Sequence, residues 1–226
     1  MFAKYVTSTY EIKDTYNSIL LDIQDAEVKI EPSNDNSTKL VLFEKRRNPY
    51  RFFIENGTLT IVPTKTKWYN SLRVGIDHSN VTLYVPKSTL DAISVKANVG
   101  DVEISSINST GAIDVKTNTG KINVSDVSCK TFSSKENTGS ITLSNVTATD
   151  TIHIKGNVGR VSLNDCTAPE IFVKTNTGKV SGKLAPNVVF TVKTSTGKIQ
   201  VPKAPIGETI CGRCEIKTNT GSVMFE

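Results

Sequence analysis

Histidine is almost missing from these 226 residues: His78 and His153 are the two present. They fall in different regions, so neither a catalytic triad nor a histidine-rich metal site can be assembled locally. Long apolar runs are missing too, and none approaches the roughly 20 residues that a membrane-crossing helix needs. Met1–Tyr10 lacks the basic-then-apolar pattern of a leader, which leaves export without support from the sequence. Aromatic residues make up only 7% of the chain. The four cysteines, Cys129, Cys166, Cys211 and Cys214, are too few to staple a chain of this size and fit a reducing compartment or incidental buried thiols. Charge of one sign is not concentrated anywhere: residues 1–89 carry 12 basic and 10 acidic side chains and residues 90–226 carry 15 and 12, so neither part is a nucleic-acid-like block.

What the chain has in abundance is a repeat. Asn98-Val99-Gly100, Asn118-Thr119-Gly120, Asn137-Thr138-Gly139, Asn157-Val158-Gly159, Asn176-Thr177-Gly178, Ser195-Thr196-Gly197 and Asn219-Thr220-Gly221 place successive glycines 20, 19, 20, 19, 19 and 24 residues apart. On either side of each turn apolar and polar residues alternate, as in Ile113 and Val115 before it and Ile122 and Val124 after it. A period of two predicts strands, and helical spacing is absent.

A single unit of about 20 residues cannot fold alone. Its handful of aliphatics contributes roughly 8–15 kcal/mol, against backbone ordering that costs roughly 20–40 kcal/mol. Stacked units share one interior and hydrogen-bond to one another. The expected fold is therefore all-β, a parallel β-solenoid of about seven 19–20-residue coils, with glycine at positive φ and stacked asparagines at the corners. An antiparallel hairpin array explains the glycines but not why Asn, Lys and the aliphatics keep their slots. Residues 1–89 lack the repeat but read as strands at Ala26–Glu31, Lys39–Glu44, Phe52–Ile54, Leu59–Val62 and Val81–Val85, with a hairpin at Asn56-Gly57. They are assigned as an irregular N-terminal β-strand cap continuous with the solenoid of residues 90–226.

The most regular surface feature is lysine. Lys96, Lys116, Lys135, Lys155, Lys174, Lys193 and Lys217 share the slot two residues before each turn Asn or Ser, and Lys121, Arg160, Lys179 and Lys198 follow the turn. Cations stacked at about 4.8 Å repel by roughly 1 kcal/mol per neighbour pair in water, which an anionic polymer would relieve. Lys116, Lys121, Lys155, Arg160, Lys174, Lys179, Lys193 and Lys198 are the candidate ligand-binding residues, set against the plainer use of lysine to solubilise a sheet and block edge pairing. Suitable ligands are a teichoic acid or an acidic polysaccharide. Nucleic acid fits least, because stacking aromatics are nearly absent from the stripe except Phe172.

Other motifs carry less. Thr-x-Thr triplets such as Thr117/Thr119 and Thr175/Thr177 sit at a corner rather than on a flat ice-binding face. Asp126 and Asp165 share a slot with Asn145 between them, which is ordinary turn chemistry and wide for a glycosidase pair. Cys211-Gly212-Arg213-Cys214 has C-x-x-C spacing, but Cys214 and Cys166 fall in inward slots as small core residues, and the alternative is a Cys211–Cys214 disulfide. The 24-residue interval near Pro202–Thr209 reads as an insertion forming a loop, a C-terminal cap or a subunit junction, and the exposed edge of a final coil offers a surface for a homodimer.

The run Val81-Thr82-Leu83-Tyr84-Val85-Pro86, then Leu90-Asp91-Ala92-Ile93-Ser94-Val95 and the recurring Lys-Thr-Asn-Thr-Gly-Lys-Ile/Val, resembles the bacterial putative adhesin family over about residues 19–226. The resemblance implies a parallel β-solenoid, a surface or envelope location and no established catalytic residues. The expectation is a non-enzymatic binding or scaffolding protein without metal or cofactor, at the envelope, or cytoplasmic if the chain is complete without an anchor. The alternatives are a polysaccharide-acting β-helix enzyme and a cytoplasmic protein-interaction scaffold.

Overall fold

The computed structural model describes residues 5–45, 50–64, 79–185, 187–203 and 209–226, and among these every regular element is a strand. Alternation decides which face each strand buries. In β8 (Ala92–Val99) Ile93, Val95 and Ala97 point inward, and in β9 (Val102–Ser105) Val102 and Ile104 do. The long strand β10 (Ala112–Cys166) carries the same pattern through successive periods of the repeat, each of which makes one rung. It turns corners at Gly120, Gly139 and Gly159, with φ of 143°, 156° and 151°, and at Asp126, Asn145 and Asp165, with φ between 52° and 54°.

Rungs meet in parallel, one period apart. Ile113 lies beside Ile93 and Ile122 beside Val102, while Ile152 pairs with Ile171 of β11 (Glu170–Thr177) and Val161 with Val180 of β12 (Val180–Leu184). One apolar core runs the length of the stack, including Phe132, Ile141, Leu143, Ile152 and Ile171, all fully buried. The turn glycines are required by close approach. A Cβ on Gly159 would lie 1.4 Å from the Gly139 carbonyl oxygen, and one on Gly120 would lie 2.2 Å from that of Gly100.

The ends of the stack depart from this order. Towards the N-terminus β2 (Ser18–Asp25) and β3 (Glu27–Pro32) pair with β8 and β9, and on their other side with β6 (Thr58–Pro63) and β7 (Asn80–Val85). β4 (Thr38–Lys45) pairs antiparallel with β7, β1 (Tyr5–Ile12) antiparallel with β4, and β5 (Tyr50–Glu55) antiparallel with β6 through the predicted turn at Asn56-Gly57. Towards the C-terminus β15 (Gly212–Thr220) lies between β11 and β13 (Val188–Thr196), and β16 (Val223–Phe225) lies between β12 and β14 (Ile199–Gln200).

These pairings correct the expected fold class. The fold is all-β, but it is a curled, mixed half-barrel sheet whose main path runs through ten strands, in the order β1-β4-β7-β3-β9-β10-β8-β2-β6-β5, with the remaining strands joined to it. It is not a parallel β-solenoid of about seven sequential coils behind an irregular cap. Antiparallel strands belong to the same sheet, and the last rung in sequence is not the last in space. Periodicity identifies equivalent slots; it does not say which rung neighbours which. The 24-residue interval now has a structural counterpart, because the chain leaves the outer rung at β14 and returns to lie inside it at β15. Residues 204–208 of that connection lie outside the described residues.

Candidate functional site

The lysine slot becomes a column on the outside of the sheet, beginning at Asp22. Asp22 pairs with Lys96, Lys96 with Lys116, Lys155 with Lys174, Lys174 with Lys217, and Lys217 with Lys193. Lys135 lines the same depression as Lys116 and Lys155. Carboxylates neutralise some of the column: Lys96 reaches Asp22 at 3.4 Å, Lys116 reaches Asp114 at 2.5 Å and Lys217 reaches Glu215 at 2.5 Å. Among the described residues Lys135, Lys155, Lys174 and Lys193 have no ion pair, but Glu215 attracts Lys193 as well as Lys217, so the uncompensated charge gathers in the middle of the stack.

The cations after the turn are less continuous. The register puts Lys121 beside Asp101, Lys179 beside Arg160, and Ser222 between Lys179 and Lys198. The Lys121 backbone N–H donates to Asp101 Oδ1 at 2.8 Å. Arg160 and Lys179 therefore stand together, whereas Lys121 and Lys198 are separated from them.

Between the lysine column and the turn runs an open groove. One depression of about 490 Å³ is lined by Lys155, Gly156, Asn157, Lys174, Thr175 and Asn176, with Lys217 and Asn219. A second, of about 380 Å³, shares Lys155, Gly156 and Asn157 and continues to Lys96. The far wall is an asparagine ladder. Asn137 Nδ2 donates to Asn118 Oδ1 at 3.2 Å, Asn157 Nδ2 to Asn137 Oδ1 at 2.9 Å and Asn219 Nδ2 to Asn176 Oδ1 at 2.6 Å. The amide stacking expected at the corners is present at these three steps, where one amide N–H of Asn137, Asn157 and Asn219 is held by the asparagine of the neighbouring rung.

The groove floor is the slot between the lysine and asparagine columns. It is occupied by Ala97, Thr117, Glu136, Gly156, Thr175 and Thr218; in the strand alternation this slot turns inward while the Lys and Asn on either side face the groove, so these threonines are buried and do not form a flat outer face. Glu136 is 3% exposed, and its Oε1 has no hydrogen-bond partner; the hydroxyls of Thr175 and Thr218 are likewise buried and unpartnered. Burial raises the Glu136 carboxyl from its ordinary 4.5 to about 7. The sequence signal for this spot is a departure from the repeat: Lys-Thr-Asn becomes Lys135-Glu136-Asn137 and then Lys155-Gly156-Asn157.

The remaining motifs are structural. Asp126, Asn145 and Asp165 hold positive-φ corners, and Asn145 Nδ2 donates to Asp126 Oδ1 at 2.8 Å, so the aspartates are separated by a stacked amide. All four cysteines are free thiols. Cys211 is exposed, while Cys129, Cys166 and Cys214 are buried, and burial pushes the Cys214 thiol up to about 12. His153 packs edge-on to Phe172 at 6.1 Å, and His78 lies outside the described residues. No cluster of metal-ligating side chains occurs among the described residues.

The chain belongs to the Toastrack DUF4097 family, whose profile matches residues 16–224. No curated protein matches it. Among solved structures it is similar to a putative adhesin from Bacteroides fragilis at 17% identity and TM-score 0.53, covering 99% of this chain and 97% of that one. It is also similar to a putative cell adhesion protein from Clostridium sporogenes at 10% identity and TM-score 0.50, covering 99% of each chain. At these identities the likeness concerns the fold. The family resemblance read from the repeat agrees with these matches.

Proposed function

We propose that this member of the Toastrack DUF4097 family is a non-enzymatic, adhesin-like binding protein of the bacterial envelope that holds an extended anionic polymer along its lysine column. The description of two structural neighbours as adhesion proteins supports the general role. The observation that carries the ligand class is the run Lys135, Lys155 and Lys174, whose charges adjoin one groove and meet no carboxylate partner. Such a row raises the local concentration of a polyanion, which displaces condensed counterions as it docks. Among the described residues Phe172 and, on the neighbouring rung, His153 are the rings beside the column, so stacking on bases contributes little and an acidic polysaccharide or teichoic-type polymer fits better than single-stranded nucleic acid.

Retention on an immobilised acidic polysaccharide at low ionic strength tests this reading. Binding should weaken steeply with added salt and fall by about a hundredfold in the double variant Lys155→Glu/Lys174→Glu, on the order of 1–1.5 kcal/mol for each reversed charge. A protein that is not retained even at low salt has no such function.

A further inference from the structure

The slot two residues before each lysine changes along the column, and the change follows the charge. Asp114 and Glu215 use that slot to neutralise Lys116 and Lys217. Before Lys135, Lys155 and Lys174, which meet no carboxylate, it holds Ser133, His153 and Phe172 instead. Strand alternation turns the slot outward with the lysines, on the flank of the column away from the asparagine ladder. His153 and Phe172 are register partners on neighbouring rungs, both partly exposed, and their rings meet at 6.1 Å and 70°. Each ring stands two residues from its lysine, roughly 6.5–7 Å along the strand. Two aromatic side chains therefore border the cations that the protein leaves free.

The chemistry selects the occupant. The face of an aromatic ring is negative and attracts positively polarised C–H bonds. A pyranose presents a face of such bonds, and a uronate carries its carboxylate on the same ring. Polyphosphate and polyol phosphates supply the charge without the ring. Successive bases stack on successive ring faces, whereas rings inclined at 70° make a corner and not a platform.

We infer that His153 and Phe172 form a sugar-stacking subsite beside the lysine column, on which a pyranose ring of a uronate chain packs its C–H face while the chain's carboxylates pair with Lys155 and Lys174. This rests on the polyanion reading above and narrows it: the ligand is an acidic polysaccharide of the uronate type, not a phosphate polymer.

The test compares polygalacturonate, which has pyranose rings, with inorganic polyphosphate, which has none, and with single-stranded oligothymidylate, using the whole chain at low salt. Phe172→Thr removes the ring but keeps a residue suited to a strand, and Phe172→Tyr keeps the ring. Phe172→Thr should lose about tenfold in polygalacturonate affinity, with polyphosphate binding within about twofold of the parent. His153→Thr should show the same selectivity at about threefold, and Phe172→Tyr should bind both polymers as the parent does. If both threonine variants bind both polymers as the parent does, or lose both equally, the rings serve strand pairing alone, the subsite is overturned and the lysine stripe stands. Binding of polyphosphate without polygalacturonate overturns it as well, and so does a larger loss for oligothymidylate than for polygalacturonate in Phe172→Thr. Failure to bind any probe at low salt, with Lys155→Glu/Lys174→Glu no different from the parent, removes stripe and subsite together.

Discussion

In the middle of the stack space follows sequence, and at the two ends it does not. The turn glycines record the order directly. Gly120 sits against the carbonyl of Gly100, Gly139 against Gly120, Gly159 against Gly139 and Gly178 against Gly159. Gly221, however, sits against Gly178, and Gly197 against Gly221. At the other end β2 and β3 are enclosed between the later strands β6 and β7 on one side and β8 and β9 on the other. At the C-terminal end β15 and β16 are paired on both flanks and the earlier β13 and β14 take the outer position. At the N-terminal end β2 and β3 are enclosed, while β1, which precedes them in sequence, and β5, which follows them, end the main path of the sheet. Sequence order is therefore kept only where each period pairs with the one before it.

The glycine column is the sharpest place to break this comparison. Gly159→Ala in the middle would drive a Cβ to 1.4 Å from the Gly139 carbonyl at a φ of 151°, with rungs on both sides to prevent retreat. Its expected cost is about 4 kcal/mol or more, enough to prevent folding of a marginal chain. Gly197→Ala places its Cβ 2.1 Å from the Gly221 carbonyl at a φ of 150°. The rung of β13 and β14 is paired on one side only and can move outward, so about 1–2 kcal/mol is expected. Urea denaturation of the two variants reads the difference, and equal losses would mean that the outer rung is held as rigidly as the middle.

A smaller contrast tests the enclosed position of β15. Ile216 is fully buried between Val173 of β11 and Val192 of β13, whereas Val192 is only partly buried. Ile216→Ala should cost about 3 kcal/mol and Val192→Ala about 1 kcal/mol or less. Hydrogen exchange should agree, with β15 amides protected nearly as well as those of β10 and β13 amides exchanging sooner. Faster exchange in β15 than in β13 would show that the C-terminal segment opens first despite its place in the stack.

The slots were legible in the sequence because each has a local physical cause. Glycine stands where a Cβ would strike the neighbouring carbonyl, asparagine where amides stack, the aliphatics where period two points inward, and Asn56-Gly57 where a hairpin needs positive φ twice. The order of rungs was not legible, since Ile171 matches Cys214 as well as it matches Ile152, and equivalent slots cannot name their neighbours. The antiparallel edges were also hidden. β4 and β5 read as strands by composition and β1 did not, and direction is set by partners distant in sequence. Of the candidate site, the lysine column was visible at once, while the floor beneath it was not. Glu136 and Gly156 break the Lys-Thr-Asn pattern, and only the structure shows that the Glu136 carboxyl is buried with Oε1 unpartnered.

The smallest expected effect also separates middle from end, and pH reads it. Glu136 in the middle and Glu44 in the N-terminal strands are both carboxyls raised by burial, but Glu44 Oε2 accepts a 2.8 Å bond from the Tyr50 N–H, which offsets part of the cost, and Glu136 has no such donor. An acid whose folded value is raised binds its proton more tightly when folded. The stability this confers is complete below the unfolded value of 4.5 and is lost as pH rises through about 7. Glu136→Gln removes the ionisation, so the variant should match the parent near pH 4.5 or below and exceed it by about 2 kcal/mol at pH 8. Glu44→Gln should shift the same curve less, because the Tyr50 bond already favours the charged form. Parallel stability curves for parent and Glu136→Gln across this range would mean that the carboxyl meets water or a counter-charge in solution.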